Sequence, residues 1–149
     1  MRSVVQRVRD CSVTVEGKRV SSIEKGILVY LGIGRQDTEK DAQMMADKIL
    51  HLRLFPDAEG KMNLSVLDVG GEVLVVSQFT LYGDTRKGRR PSYDEAAPPS
   101  QAEPLFQFFL QELGRYGIVP KAGVFQAKME VAYVNVGPIT LLVDPKKTF

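Results

Sequence analysis

The run Gly26-Ile27-Leu28-Val29-Tyr30-Leu31-Gly32-Ile33-Gly34 is almost unbroken in its apolar character and reads as a buried central strand. Upstream, Ser3–Arg9 alternates, with Val4, Gln6 and Val8 on one side and Val5, Arg7 and Arg9 on the other, the mark of a strand with one mixed face. Ser12–Glu16 and Arg19–Ile23 flank Gly17-Lys18, a two-residue connection with glycine first that suits a type II′ hairpin. Downstream, Asp37 or Thr38 can cap a helix running to about Leu54, on which Ala42, Met45, Ile49 and Leu52 share a face. Pro56–Lys61 is turn-rich, and Gly70-Gly71 introduces a second strongly apolar strand, Glu72–Phe79. A second helix is expected over about Gln101–Tyr116, with Leu105, Phe109, Leu113 and Tyr116 toward the core. Ser100 and Glu103 form a capping box for it, although Pro104 sits within its first turns. After a turn region at Gly117–Gly123, Val124–Val136 reads as a long strand with Phe125, Ala127, Met129, Val131 and Tyr133 on one face. Gly137-Pro138 interrupts it and Ile139–Asp144 resumes as the last strand. Strands punctuated by two helices indicate an α+β domain with an antiparallel or mixed sheet, single over residues 1–149.

Composition narrows the chemistry. A chain of 149 residues with 44% hydrophobic side chains buries a sizeable core without staples. The single cysteine, Cys11, excludes an internal disulfide framework and suits a reducing compartment. No apolar run is long enough to span a bilayer, and Met1–Arg7 lacks the continuous apolar stretch of a secretion signal, so a cytoplasmic location is expected. One histidine and one cysteine cannot assemble a zinc site rich in these ligands, and no metal or cofactor is expected. A Ser-His-Asp triad would have to use His51, which has no partner suggested by its position in the first helix. The simplest readings are a structural or surface role for His51, small-hydrophobe packing for Cys11, and core packing for Phe106-Gln107-Phe108-Phe109.

Three segments are candidates for function. In Ser77-Gln78-Phe79-Thr80-Leu81-Tyr82-Gly83-Asp84, polar groups appear where a buried strand ends, a common place to present backbone donors and hydroxyls. A strand cap leading into a turn accounts for the same pattern. In Asn135-Val136-Gly137-Pro138-Ile139-Thr140, the Gly-Pro step removes a side chain and a backbone donor at adjacent positions, which marks an edge, a bulge or a cis peptide. Only about 5–6% of X-Pro bonds in folded proteins are cis, so the pattern alone favours trans. The third is Arg86-Lys87-Gly88-Arg89-Arg90, inside a segment, Gly83–Pro99, too long for an ordinary connection. Its cations suit phosphates or are simply a solvated charge run.

Taken together, these residues resemble a known family. Ser77-Gln78-Phe79-Thr80-Leu81 and Asn135-Val136-Gly137-Pro138-Ile139-Thr140 look like the two signature motifs of the D-aminoacyl-tRNA deacylases, also called D-tyrosyl-tRNA deacylases. The opening Met1-Arg2-Ser3-Val4-Val5-Gln6-Arg7-Val8 and the run Leu54-Phe55-Pro56-Asp57 followed by Gly60-Lys61-Met62-Asn63 are similar as well. The resemblance extends over essentially the whole chain. It implies a barrel-like sheet, a hydrolase acting on the ester of D-aminoacyl-tRNA, and a homodimer with its active sites at the subunit interface. Ser77, Gln78, Phe79 and Thr80 are then the catalytic segment from one subunit. Gly137-Pro138, in cis and braced by the Arg7 guanidinium, comes from the other and rejects L-amino acids. Phe125 and Met129 are expected to form the pocket around the terminal adenosine and aminoacyl group, with Asn135 and Thr140 counted among the substrate-binding residues. Arg86, Lys87, Arg89 and Arg90 are the expected tRNA contacts. Clearance of glycyl-tRNA is a further expectation, because achiral glycine has no side chain to exclude.

An activated ester needs no strong nucleophile. Backbone N–H groups of Phe79 and Thr80 can hold the carbonyl oxygen as charge develops there, while water attacks with help from the neighbouring ribose hydroxyl. Thr80 as nucleophile has no base beside it in sequence. A non-enzymatic nucleic-acid-binding module is the main alternative. A small-molecule esterase would want a G-x-S-x-G elbow, and Val76-Ser77-Gln78 has no flanking glycines.

Overall fold

A computed structural model describes residues 1–147. Two long strands dominate it, β1 (Arg2–Val15) and β2 (Lys18–Gly32), paired antiparallel along almost their full length. They absorb four segments of the sequence pattern into two. The Arg9/Ser12 irregularity, where Asp10 takes φ 50°, is a bulge within one strand. The hairpin turn sits one residue earlier than expected. Val15 pairs with Lys18, and the two residues between them, Glu16 (φ 49°) and Gly17 (φ 76°), both take positive φ. That is the signature of a type I′ turn, whose twist matches the strands it joins, rather than type II′.

Helix α1 (Glu39–Leu50) follows, four residues shorter at its end than the pattern suggests. Thr38 is its N-cap, and the Asp41 carboxylate accepts the Thr38 N–H at 2.7 Å. The turn-rich Pro56–Lys61 segment supplies the end of β3 (Phe55–Pro56) and the loop, residues 57–61, of a small hairpin with β4 (Met62–Leu64). Then come β5 (Glu72–Ser77), a 3-10 turn (Phe79–Tyr82), α2 (Pro99–Gly114), β6 (Lys121–Ala122) and β7 (Glu130–Val143). Helix α2 starts two residues early, with Pro98 at its N-cap and Pro99 in its first turn, where a missing N–H costs nothing. The Ser100–Glu103 box is therefore inside the helix. Tyr116 lies beyond its end, exposed, and donates to Asp47 at 2.9 Å instead of entering the core.

The sheet order is β6-β5-β2-β1-β7, with β2–β5 and β5–β6 parallel and the rest antiparallel. It is the expected α+β fold with a mixed sheet and two helices, open at β6 and β7 rather than closed on itself. The parallel β2–β5 pair requires a crossover, which α1 supplies. Both helices lie against one sheet face, where Val5, Ile27, Val29, Leu31, Val73 and Val75 meet Met45, Ile49, Phe106 and Phe109. Leu28, Leu74 and Val76 point to the opposite face, into a second cluster with Val8, Cys11, Val13 and Ile23. Burial of β2 and β5 on both faces is why their sequences do not alternate. Among the described residues no helix is long and apolar enough to cross a membrane.

Candidate functional site

Strand β5 ends at Ser77, and the chain then bends sharply over the end of β2. Gln78 N–H donates to Leu31 O at 2.8 Å, which extends the parallel pairing one step beyond the strand. The 3-10 turn follows at once; its first bond is Leu81 N–H to Gln78 O at 3.3 Å. The N–H groups of Phe79 and Thr80 precede that first bond, so the turn offers them no acceptor. Close approach of the turn to β2 depends on glycine. A Cβ at Gly32 would lie 3.0 Å from Gln78 O, and one at Gly34 would lie 2.7 Å from the Tyr82 hydroxyl. The sequence pattern expects a strand through Phe79; the bend replaces its last residues.

The turn is anchored from below. Arg2 donates to Leu81 O at 3.1 Å and its guanidinium stacks 4.5 Å over the Tyr82 ring. The Tyr82 hydroxyl donates to Asp37, a buried carboxylate that also receives the Met1 ammonium at 2.6 Å, the Gly34 N–H at 2.7 Å and Lys146 Nζ at 2.9 Å. Burial works to raise the Asp37 pKa, but these donors and the ammonium charge outweigh it and hold it below the ordinary carboxylate value. Asp37 is thus a core anion rather than a helix cap.

Above the bend lies a cleft of about 560 Å³, in the size range of small-ligand sites. Val76, Ser77, Gln78 and Phe79 form one wall, and Phe125, Ala127 and Met129 the other. Phe125 and Met129 do not sit on a strand as expected. Gln126 takes φ 64°, and residues 124–129 form a loop before β7 begins at Glu130. Phe125 leans on Phe106 of α2 at 5.8 Å between ring centroids, and Met129 packs where a Cβ at Gly123 would be only 2.4 Å from its sulfur. Gln126 and Val131 also line it, and Ile33, Ala97, Pro99 and Ala102 complete the cleft. Sequence reasoning missed these; only the small size of the alanines, which leaves space, was available as a signal. Phe79 is 56% exposed at the rim and meets Tyr93 edge-on at 5.1 Å. Thr80 is exposed beside it, and its hydroxyl accepts a hydrogen bond from Gln78 Nε2.

The Gly137-Pro138 step is not among the residues lining this cleft. It lies in an outward bulge of β7. Gln6 pairs with Thr140 and Val8 with Asn135, so Arg7 alone faces residues 136–139. The Gly137-Pro138 bond is cis and both residues are exposed. Arg7 lies under the bulge, donating to Val136 O at 3.3 Å and to Leu54 O at 2.8 Å. A Cβ at Gly137 would come within 3.1 Å of that guanidinium, and the φ of 120° there favours glycine in any case. Asn135 and Thr140 are engaged within the bulge itself. Asn135 Oδ1 accepts the Ile139 N–H at 3.0 Å, and its Nδ2 donates to Thr140 Oγ1 at 3.0 Å.

The basic loop projects from a neck where Asp84 and Ser92 exchange backbone hydrogen bonds of 2.8 and 3.0 Å. All four cations are exposed, but Arg86 alone folds back onto Asp84, with Nε 2.9 and 3.1 Å from its two carboxylate oxygens. Its bonds and charge pull the Asp84 pKa down to about 2. His51 closes the C-terminus of α1, its Nδ1 2.8 Å from Asp47 O, far in sequence and role from the cleft. Cys11 is fully buried, and that burial pushes its thiol up to about 11, which leaves it inert. No group of three or more His, Cys, Asp or Glu side chains able to hold a metal occurs among the described residues.

Comparison with known proteins gives a consistent result. A family model described as D-Tyr-tRNA(Tyr) deacylase matches residues 4–144. The D-aminoacyl-tRNA deacylase of Desulfitobacterium hafniense (strain DSM 10664 / DCB-2) is 61% identical over 149 residues, covering 100% of both chains. That of Thermosipho africanus (strain TCF52B) is 54% identical, again over 100% of both. Among solved structures, a c-Myc DNA Unwinding Element Binding Protein superposes with a TM-score of 0.91 at 44% identity, covering 97% of this chain and 98% of that one. A probable eukaryotic D-amino acid tRNA deacylase gives a TM-score of 0.82 at 16% identity over 95% and 97%, a likeness of fold alone.

Proposed function

The chain belongs to the D-Tyr-tRNA(Tyr) deacylase family, and on that footing we propose that its cleft hydrolyses the ester of D-aminoacyl-tRNA, releasing the D-amino acid and free tRNA. The observation that carries this reading is the cleft itself, which joins the Ser77–Phe79 bend to Phe125 and Met129 from a loop far along the chain. Aromatic and thioether walls suit a nucleoside base, and the bend supplies polar groups at one end.

The ester carbonyl oxygen is held by the N–H groups of Phe79 and Thr80. Removing one such donor typically costs about 2.7–4 kcal/mol of transition-state stabilisation. Water attacks the carbonyl carbon, the neighbouring ribose hydroxyl assists, and the ester C–O bond breaks as the proton passes to the tRNA oxygen. Thr80 is a poor nucleophile here: its hydroxyl receives a hydrogen bond from Gln78, an amide donor and not a base. The protein's part is to orient and to stabilise charge.

Chirality is read by Gly137-Pro138 of a second copy of the chain, whose carbonyls face the substrate's α-carbon and clash with an L side chain. The exposure of that step, away from its own cleft, supports a homodimer in which each subunit completes the other's site. Rejection by a built clash leaves the D side chain free, so many D-amino acids and achiral glycine on tRNA are substrates. Lys87, Arg89 and Arg90 meet the tRNA backbone, and the enzyme acts in the cytoplasm. A second reading, a nucleic-acid-binding module without catalysis, draws on the structural similarity to a DNA-unwinding-element-binding protein.

Deacylation of D-Tyr-tRNA beside L-Tyr-tRNA, by purified protein without added metal, decides between them. Loss of the D ester with the L ester spared is expected. Survival of both esters, with uncharged tRNA still bound, would establish the module instead.

A further inference from the structure

The bulge that carries Gly137-Pro138 is held from two independent sides, and the second side has no part in the reading above. Arg7 grips the entering limb at Val136 O. The leaving limb, Ile139-Thr140, is gripped by a row of side chains running across β1 and β7. Tyr133 OH donates to Gln6 Oε1 at 2.7 Å, Gln6 Nε2 donates to Thr140 Oγ1 at 3.0 Å, and Asn135 Nδ2 donates to the same Oγ1 at 3.0 Å. Asn135 Oδ1 closes the neck by accepting the Ile139 N–H at 3.0 Å.

Donor and acceptor counting makes this row directional. Thr140 Oγ1 accepts twice, which uses both of its lone pairs. Gln6 can donate to it only if its amide oxygen is turned toward Tyr133, and the Tyr133 hydroxyl fixes that orientation. Tyr30 of β2 and Tyr133 pack against the same buried cluster, so the row stands beside the central strand. Remove the Tyr133 hydroxyl and the Gln6 amide is free to turn; remove the Gln6 amide and the Thr140 hydroxyl keeps only Asn135, which alone then ties the leaving limb through the Ile139 N–H at 3.0 Å and Ile139 O at 3.4 Å. The leaving limb then rocks while Arg7 still holds the entering limb. A two-sided hold of this kind fixes an angle, which the fold by itself does not need.

We infer that Gln6 and Tyr133 are positioning residues for chiral selection: through Thr140 and Asn135 they set the angle at which the Gly137-Pro138 bulge meets the substrate. The inference rests on the reading of that step as the chirality filter.

The test uses the full chain with Tyr133→Phe and Gln6→Leu, measuring single-turnover rates on D-Tyr-tRNA and L-Tyr-tRNA together with thermal stability. Because misplacement of about 1 Å can change a rate by about 10²-fold, a partial tilt is expected to lower D-over-L selectivity by about tenfold, mainly by raising the L rate. The D rate and the melting temperature should stay close to the parent's. Equal loss of both rates in step with stability would overturn the inference, and so would unchanged selectivity in both variants. Gly137→Ala, assayed alongside, separates the two levels. If it lowers selectivity while Tyr133→Phe and Gln6→Leu do not, only the positioning role falls. If it too leaves selectivity intact, the filter reading falls first.

Discussion

Replacing Asp37 by Asn should cost this protein more than any surface change, and the structure sets the size. The Asp37 side chain is 2% exposed, and the ammonium it pairs with, 2.6 Å away, belongs to Met1, a residue only 1% exposed. Asn keeps the shape and can still accept from Gly34, but it removes the counter-charge and leaves a buried cation unmatched. Breaking a buried pair in this way typically costs about 3–5 kcal/mol. For a chain near this length each kcal/mol lowers Tm by about 2–4 °C, so a fall of roughly 6–20 °C is expected by calorimetry at neutral pH. The pH profile is a sharper check. A carboxylate held below its unfolded value, near 3.9, contributes stability above that pH and loses it as pH falls through the folded value. The gap between the parent and Asp37→Asn should therefore be full at neutral pH and close in the window below about pH 4, where protonated Asp37 resembles Asn. Because Tyr82 also donates to Asp37, D-Tyr-tRNA deacylation should fall with the anchoring of the Phe79–Tyr82 turn. A Tm change under about 2 °C, or a gap that persists unchanged at pH 3, would refute the reasoning.

The basic loop gives a graded expectation. Replacing Lys87, Arg89 and Arg90 together by Ser should raise KM for tRNA with kcat kept, and flatten the dependence of log KM on log salt by roughly 2–3. Arg86→Ala alone should do little, because its guanidinium is occupied by Asp84; a larger effect from Arg86 than from the other three would reverse that assignment. Cys11, with its thiol pushed up to about 11 by burial, should resist a thiol reagent at pH 8 until the chain unfolds, and rapid labelling of native protein would contradict its placement.

Much of the architecture was legible because burial writes itself into composition. Gly26–Gly34 and Glu72–Ser77 lack alternation because both faces of β2 and β5 are covered, and the α1 face of Ala42, Met45 and Ile49 follows the helical period. The two polar motifs and their order along the chain also marked where chemistry is expected, with the Ser77–Phe79 segment indeed at the end of a buried strand and in a cleft. Local rules erred where a neighbour in space decided the outcome. Of the two cap candidates Thr38 caps α1, whereas Asp37 is drawn into the core by Met1 and Lys146; Phe125 and Met129 read as strand until Phe106 and the space over Gly123 hold them in a loop. Sequence by itself determined the two buried strands, the two helices to within a few residues and the residues rich in chemical capacity, because these depend on short-range periodicity and side-chain type. Tertiary structure alone decided that Ser77–Phe79 meets Met129 and that Gly137-Pro138 stands apart on a bulge opposite Arg7. Those arrangements follow from strand register and packing between distant segments, which no local spacing encodes.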